Sequence, residues 1–407
     1  MPWQTRWAPT PGELSACVEC GLCLPHCPTF RLTGDEAASP RGRLNAMAAV
    51  ASGELPIDAA FDEVMSFCLQ CRACEAACPS LVPFGRAMEG ARAELAAVRP
   101  RGRRMRARIL GRWLGRRRVV GFATFWAAVG QRIGSRRWAP RRIRQGLAGL
   151  RRLGFRGHGV VGGRFEPAGD PVATVGLLSG CVMDAWFPAV HHATISLLNA
   201  AGYRVTVPRE QTCCGALAAH DGAAEAAARL AARNAAAFVG VDLIVSNAAG
   251  CSAHLAQYGD WAAAGQGVAD RAVDAVALVA RAIGEGRLPQ PAVDRGVVAL
   301  QDPCHHRHAL RMTAEPRQVL AAAGYTVVTV DPDGMCCGAA GVYSILRPAT
   351  AGELGVRKAQ QVIATGASLV ASANPGCEMQ LRAHLAGRVR VAHPLELYAE
   401  ALGLTDR

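Results

Sequence analysis

The sequence predicts a mixed α and α/β chain: a small helical domain over residues 1–94, an arginine-rich helical connector over 95–170, and two duplicated α/β units over 171–290 and 291–407. Three observations carry this expectation. Eight of the sixteen cysteines precede residue 95 in two copies of one motif, the connector has none, and the other eight recur at matched spacing further on. Strand-like apolar runs alternate with alanine-rich helical stretches after residue 171, the pattern of parallel α/β units. Between Leu95 and Phe165 there are twenty arginines and no Asp or Glu.

Composition bounds the class. Hydrophobic residues fill 51% of 407 positions, enough for packed cores in two or three domains. The opening residues contain no apolar leader core and reach a second cysteine by Cys20, so no secretory signal is expected. Sixteen cysteines without an export signal argue for metal binding over disulfides. The best apolar stretch, Val119 to Gly130, has 12 residues and flanking arginines, too short for a membrane span. The expected location is the cytoplasm, free or peripheral on the inner face of the cell membrane.

In the first domain, Cys17-x2-Cys20-x2-Cys23-x3-Cys27-Pro28 returns as Cys68-x2-Cys71-x2-Cys74-x3-Cys78-Pro79, every cysteine displaced by 51 positions. Three thiolates two residues apart can wrap three irons of one [4Fe–4S] cubane, while the fourth turns toward the other cluster. The expected sets are therefore Cys17, Cys20, Cys23 and Cys78, and Cys68, Cys71, Cys74 and Cys27. Zinc is the alternative occupant of four thiolates, but its sites seldom use three such steps followed by Cys-Pro. Helical composition at Pro40–Ala51 and Phe61–Phe67 makes the spacer longer than a compact all-β ferredoxin needs, so a helical ferredoxin-like domain is expected.

The last part repeats itself. Cys181 precedes Cys213-Cys214-Gly215 by 31 intervening residues and Cys251 follows; Cys304 precedes Cys336-Cys337-Gly338 by the same 31 and Cys377 follows. Strands are expected at Val172–Leu178, Val297–Leu300, Leu243–Ser246 and Leu369–Ser372, with Gly202 and Gly324 closing helices. The cysteines then fall on loops beyond strand ends, where α/β sheets gather ligands. Adjacent thiols eased by a turn glycine can face one metal centre, so Cys181, Cys213, Cys214 and Cys251 form one candidate set and Cys304, Cys336, Cys337 and Cys377 another. Buried cysteines acting as small hydrophobes are the alternative.

Two ferredoxin-type motifs followed by two Cys-Cys-Gly units resemble the glycolate oxidase iron–sulfur subunit over nearly the whole chain. Arg41-Gly42-Arg43 after Pro40, the Ala-Gly-Cys251 turn and the Asn374-Pro375-Gly376-Cys377 turn are similar too. The resemblance implies two [4Fe–4S] clusters, a further iron–sulfur cluster or zinc at the Cys-Cys-Gly units, and work with two FAD-type flavoprotein subunits that oxidise glycolate to glyoxylate. Electrons would pass to a quinone or another respiratory acceptor. Related architecture serves lactate and glycerol-3-phosphate oxidation and heterodisulfide reduction. The heterodisulfide type ends each unit in C-x2-C, whereas this chain has Cys251-x2-His254 and Cys377-x2-Gln380. His254, His305, His306 and His308 are candidate nitrogen ligands.

Two features stand apart. Gly157-His-Gly159-Val-Val-Gly162 fits a dinucleotide fingerprint, but no strand precedes it and prolines follow where a helix should open. The basic connector carries Trp113, Phe122, Phe125, Trp126 and Trp138 among its arginines, suiting an anionic membrane surface or an acidic partner. A metal-stabilised nucleic-acid-binding regulator is the alternative of another class, disfavoured by the doubled cubane motif.

Overall fold

The computed structural model describes residues 3–98, 116–134, 148–155 and 159–404. The N-terminal domain is helical, as its composition predicts. Helix Pro11–Ser15 opens with a Thr10–Glu13 capping box, helix Pro40–Ser52 is capped by Ser39 and stopped by left-handed Gly53, and helix Ala59–Ser66 is capped by Asp58. These pack on helix Phe84–Val98 through Leu44, Met47, Val50, Phe61, Met65, Met88 and Leu95. That last helix runs through the boundary expected at residue 94, because its buried face continues to Leu95.

Two sheets follow. The first contains β1 (Arg164–Phe165), β2 (Thr174–Leu177), β3 (Arg204–Thr206), β4 (Leu243–Ser246) and β5 (Ala272–Asp274), in the order β1-β3-β2-β4-β5. The second contains β6 (Val297–Leu300), β7 (Thr326–Thr329), β8 (Leu369–Ala371) and β9 (Arg390–Ala392), in the order β7-β6-β8-β9. Without β1 the two orders are the same, and every pair except β1–β3 is parallel. The duplication read from the cysteines is thus a duplication of topology. Gly202 and Gly324 both end helices at positive φ, +86° and +92°.

The units are interlocked. The last helix of each, Ala275–Gly284 and Pro394–Ala401, packs on the first long helix of the other, Ala314–Ala322 and Pro188–Ala200. Val175, Leu177, Val276 and Val279 consequently share one core with Val319, Leu395 and Tyr398.

The N-terminal domain is seated on this body. Arg92, buried, donates to the carbonyls of Cys68 and His220, both at 2.6 Å. Trp7 stacks on Trp261 with centroids 5.1 Å apart, and the Tyr343 hydroxyl donates to the Phe67 carbonyl. Of the expected connector, residues 99–115, 135–147 and 156–158 lie outside the described residues. Helix Arg117–Arg132 is present, and Arg164–Phe165 joins the first sheet. Gly157 and His158 of the dinucleotide-like pattern are likewise outside. Gly162 bonds to Val207 and leads into strand β1, not into a helix, so the context a nucleotide fingerprint requires is missing.

Candidate metal centres

All sixteen cysteines are free thiols. In the first motif the chain turns through left-handed Glu19 (φ 56°) and Gly21 (φ 80°), and in the second through Gln70 (φ 53°) and Arg72 (φ 64°), the same positions displaced by 51. Left-handed conformations cost energy for Glu, Gln and Arg. Their recurrence at matching places marks loops that curl their amides around an anionic group, as iron–sulfur loops do.

A pocket is lined by Cys17, Cys20, Cys23 and Cys78, and also by Cys74 of the second motif. Burial pushes Cys71 and Cys74 well up, and the charges of neighbouring thiols, Cys27 among them, add to this at both. Cys78 and Cys74 thus share a pocket with the first motif, and Cys27 is within electrostatic reach of Cys71 and Cys74. Cys23 also senses Cys27, so the two groups adjoin.

Both Cys-Cys-Gly sets assemble beyond the strand ends, but Cys251 and Cys377 lie in the first turn of helices Ala249–Leu255 and Pro375–Leu385 and not on the loops the sequence suggested. Cys181 Sγ lies 3.4 Å from Cys213 Sγ, and Cys214 contacts Cys213 and Cys251. In the second unit Cys304 contacts Cys336, and Cys337 Sγ lies 3.2 Å from Cys377 Sγ. Gly215 and Gly338 take positive φ, +99° and +84°, as a turn that aims adjacent thiols together requires. Asn374 ties the two units, accepting from Gly250 N at 3.3 Å and donating to Cys377 Sγ at 3.5 Å.

The electrostatics fit a cationic occupant. Cys181 and Cys214 are pushed well up by their bonds to neighbouring sulfurs and by burial, while Cys213, which those sulfurs serve, is drawn well down. Cys304 is raised well above the ordinary thiol value by Cys336 and burial; Cys71 is raised by burial and the charge of Cys304. So many adjoining buried thiols can ionise together only around positive charge. As the side chains stand, no group of three or more His, Cys, Asp or Glu among the described residues could hold a single metal ion. A cubane spreads its irons over separate thiolates, so it asks for neighbouring donors and not for four lone pairs on one point.

The histidines divide. His306 Nε2 pairs with Asp274 at 2.9 Å and His308 Nε2 with the Gly334 carbonyl at 3.2 Å, which makes both structural. His254 and His305 line a small polar pocket with Gln70, Arg72, Glu89 and His220, and their Nε2 atoms have no partner. Burial holds His254 down to about 4 and His305 well below the usual imidazole value. Glu89 pairs with His220 at 2.8 Å. Sequence reasoning missed Arg72, Glu89 and His220 because no motif spacing links them. It missed the environment of Cys27 for the same reason: Arg43, 0% exposed, donates to Thr29 and approaches the sulfur. Gln380, which stands where the heterodisulfide type has a cysteine, donates to the Ala351 carbonyl at 2.6 Å.

A two-motif thiol domain seated on a duplicated Cys-Cys-Gly body defines an iron–sulfur protein of the oxidoreductase class. Residues 13–82 match the 4Fe-4S dicluster domain, and residues 175–256 and 298–382 each match the Cysteine-rich domain. The chain is 33% identical to the "Probable glycolate oxidase iron-sulfur subunit" of Bacillus subtilis, covering 96% of this chain and 95% of that one. It is 31% identical to the glycolate oxidase iron–sulfur subunit of Escherichia coli, over 96% and 94% of the two. A fumarate reductase (CoM/CoB) subunit of Methanothermobacter marburgensis is 30% identical over 58% of this chain and 48% of its own length. The chain belongs to the glycolate oxidase iron–sulfur subunit family.

Proposed function

We propose that this chain is the electron-transfer subunit of a complex oxidising glycolate to glyoxylate beside two FAD-bearing flavoprotein subunits. In this reading Cys17, Cys20, Cys23 and Cys78 hold one [4Fe–4S] cluster, and Cys68, Cys71, Cys74 and Cys27 hold the second. Cys181, Cys213, Cys214 and Cys251, and Cys304, Cys336, Cys337 and Cys377, hold a further iron–sulfur cluster. Such clusters supply one-electron steps between a two-electron flavin and an acceptor. The acceptor is a quinone or another respiratory carrier, reached from the cytoplasmic side by peripheral attachment to the membrane.

The observation that supports this most is the packing of Cys71 with Cys336 in one buried cluster with Leu69 and Tyr343, against which the partly buried Cys304 also packs. It sets the second motif against the second Cys-Cys-Gly unit with no solvent layer between, the arrangement an electron path needs. The chain's own residues bury many of the thiols, turn the loops through left-handed positions, and hold the domains together through Arg92. Substrate chemistry is assigned to the flavoprotein partners, and no catalytic residue is assigned to this chain.

Anaerobic purification with iron, sulfide and EPR analysis tests the reading. About eight irons are expected for two cubanes, with more if the Cys-Cys-Gly units hold clusters. Zinc without iron overturns it. With the flavoprotein partners present, glycolate should reduce the EPR-active centres, and reduction by lactate but not by glycolate would reassign the substrate.

A further inference from the structure

Helix Arg117–Arg132 has two faces of opposite character. Its inner face is fixed to the body: Thr124 and Ala128 are buried, Thr124 Oγ1 accepts from Trp186 Nε1 at 3.0 Å, and Gln131 bonds to Arg151 O and Leu153 N, both at 2.9 Å. The outer face presents Phe122 (67% exposed), Phe125 (41%), Trp126 (56%) and, at the C-cap, Ile133 (68%). At about 100° per residue these four side chains fall within an arc of roughly 100°, opposite Thr124, Ala128 and Gln131. Phe125 also meets Phe155, 48% exposed, at 5.8 Å between centroids, and Arg132 stacks over Phe155 at 3.8 Å. Four large apolar side chains held outward on a fixed helix form a patch of the kind soluble surfaces seldom keep.

The surrounding charge decides what covers it. Arg116 and Arg118, about one turn before Phe122 in the chain, and Arg132 and Arg152 are exposed, and residues 116–134 and 148–155 contain no carboxylate. The carboxylates reaching this region lie on the inner side: Asp184 on helix Val182–Trp186, which packs there through Trp186 and Thr124, and Glu378 and Glu396, which Arg151 holds. The stretches 99–115 and 135–147 add only arginines to the charge in sequence. An aromatic face rimmed by arginines without a carboxylate among them matches the headgroup zone of an anionic bilayer, where aromatic rings sit at the acyl boundary and guanidinium groups meet lipid phosphates.

We propose that this face docks on the surface of an anionic lipid bilayer, with Phe122, Phe125, Trp126 and Ile133 entering the interface and Arg116 and Arg118 bound to lipid phosphates. Among the described residues no helix is long and apolar enough to cross a membrane, so the contact is an in-plane one. The inference deepens the proposed function and rests on it only for the membrane location of the acceptor.

Co-sedimentation of the cluster-loaded full chain with phosphatidylcholine vesicles, and with vesicles of equal parts phosphatidylcholine and phosphatidylglycerol, tests it. Binding is expected for the anionic vesicles alone at low salt and should fall steeply as salt is added. Phe122→Ser/Trp126→Ser and Arg116→Gln/Arg118→Gln should each weaken it by about tenfold or more. Both pairs are exposed, so iron content and visible absorbance should be unchanged; these readouts track the cluster assignment separately from lipid binding. Wild-type protein that ignores anionic vesicles, or variants that bind as wild type does, would overturn the proposal. Loss of flavoprotein binding in the aromatic variant, without any vesicle binding by wild type, would make this an assembly surface instead.

Discussion

The guanidinium of Arg43 lies 3.9 Å from the sulfur of Cys27, both out of contact with bulk water. Its other nitrogens donate to the Val64 carbonyl at 3.0 Å and to Thr29 Oγ1 at 3.1 Å, so the positive charge is held at one place beside the thiol. A fixed cation there favours the form of any bound cluster that carries the extra electron.

Arg43→Met should therefore lower the midpoint potential of one cluster. A charged hydrogen bond contributes roughly 1.5–3 kcal/mol, equivalent to a shift on the order of 100 mV for one electron. Arg43→Lys, which keeps the charge, should shift it less. Potentiometric titration followed by EPR reads the change, and equal potentials in wild type and Arg43→Met would show that the guanidinium only shapes the fold.

Crossed ligation makes a sharper claim. Cys78→Ala should remove the same EPR signal as Cys20→Ser, and Cys27→Ala the same signal as Cys71→Ser, since a soft thiolate on iron has no good substitute in either residue. If Cys78→Ala instead matches Cys71→Ser, each motif closes its own cluster.

The two Cys-Cys-Gly turns should differ in tolerance. A methyl on Gly338 would stand 2.8 Å from the Ala351 carbonyl oxygen and 2.9 Å from Leu354 Cβ, whereas on Gly215 the nearest atom is His254 Nε2 at 3.2 Å. Both positions have positive φ, which alone costs about 1–2 kcal/mol for alanine. Gly338→Ala should lose more stability than Gly215→Ala in urea unfolding, and the reverse order would contradict the packing.

Arg151 is clamped by Glu378 and Glu396, with Nη2 at 2.8 and 2.7 Å from one oxygen of each. Arg151→Leu leaves buried Glu396 without its arginine, while Glu378 keeps Arg382 at 2.7 Å, and should cost about 3 kcal/mol. Burial works to raise the pKa of Glu396, but its bonds and charge interaction with Arg151 prevail and hold it below the usual carboxylate value. Its contribution is thus complete above the unfolded value of about 4.3 and disappears as pH falls through the lower folded value. Urea titrations from neutral pH to about 3 should show a shallower acid loss for Glu396→Gln than for wild type. An identical acid limb would place that pH dependence elsewhere.

The sequence by itself determined the two ferredoxin-type motifs, the repeated Cys-Cys-Gly spacing, the doubled α/β topology and most central strands. The reason is physical: loops that wrap a cluster need thiols at short fixed spacing, and buried parallel strands need unbroken apolar runs, as at Val297–Leu300 and Leu243–Ser246. Edge strands β1, β5 and β9 were not legible, because a two- or three-residue strand half open to solvent leaves no periodic signature. Only the tertiary structure decided the exchange of terminal helices between the units, the charge set beside Cys27, and the grip of Arg151 on carboxylates 227 and 245 positions away. A local pattern records which face of a segment is apolar, but not which distant segment will cover it. That choice is made when two interlocked sheets close one core and carry Cys71 onto Cys304 and Cys336.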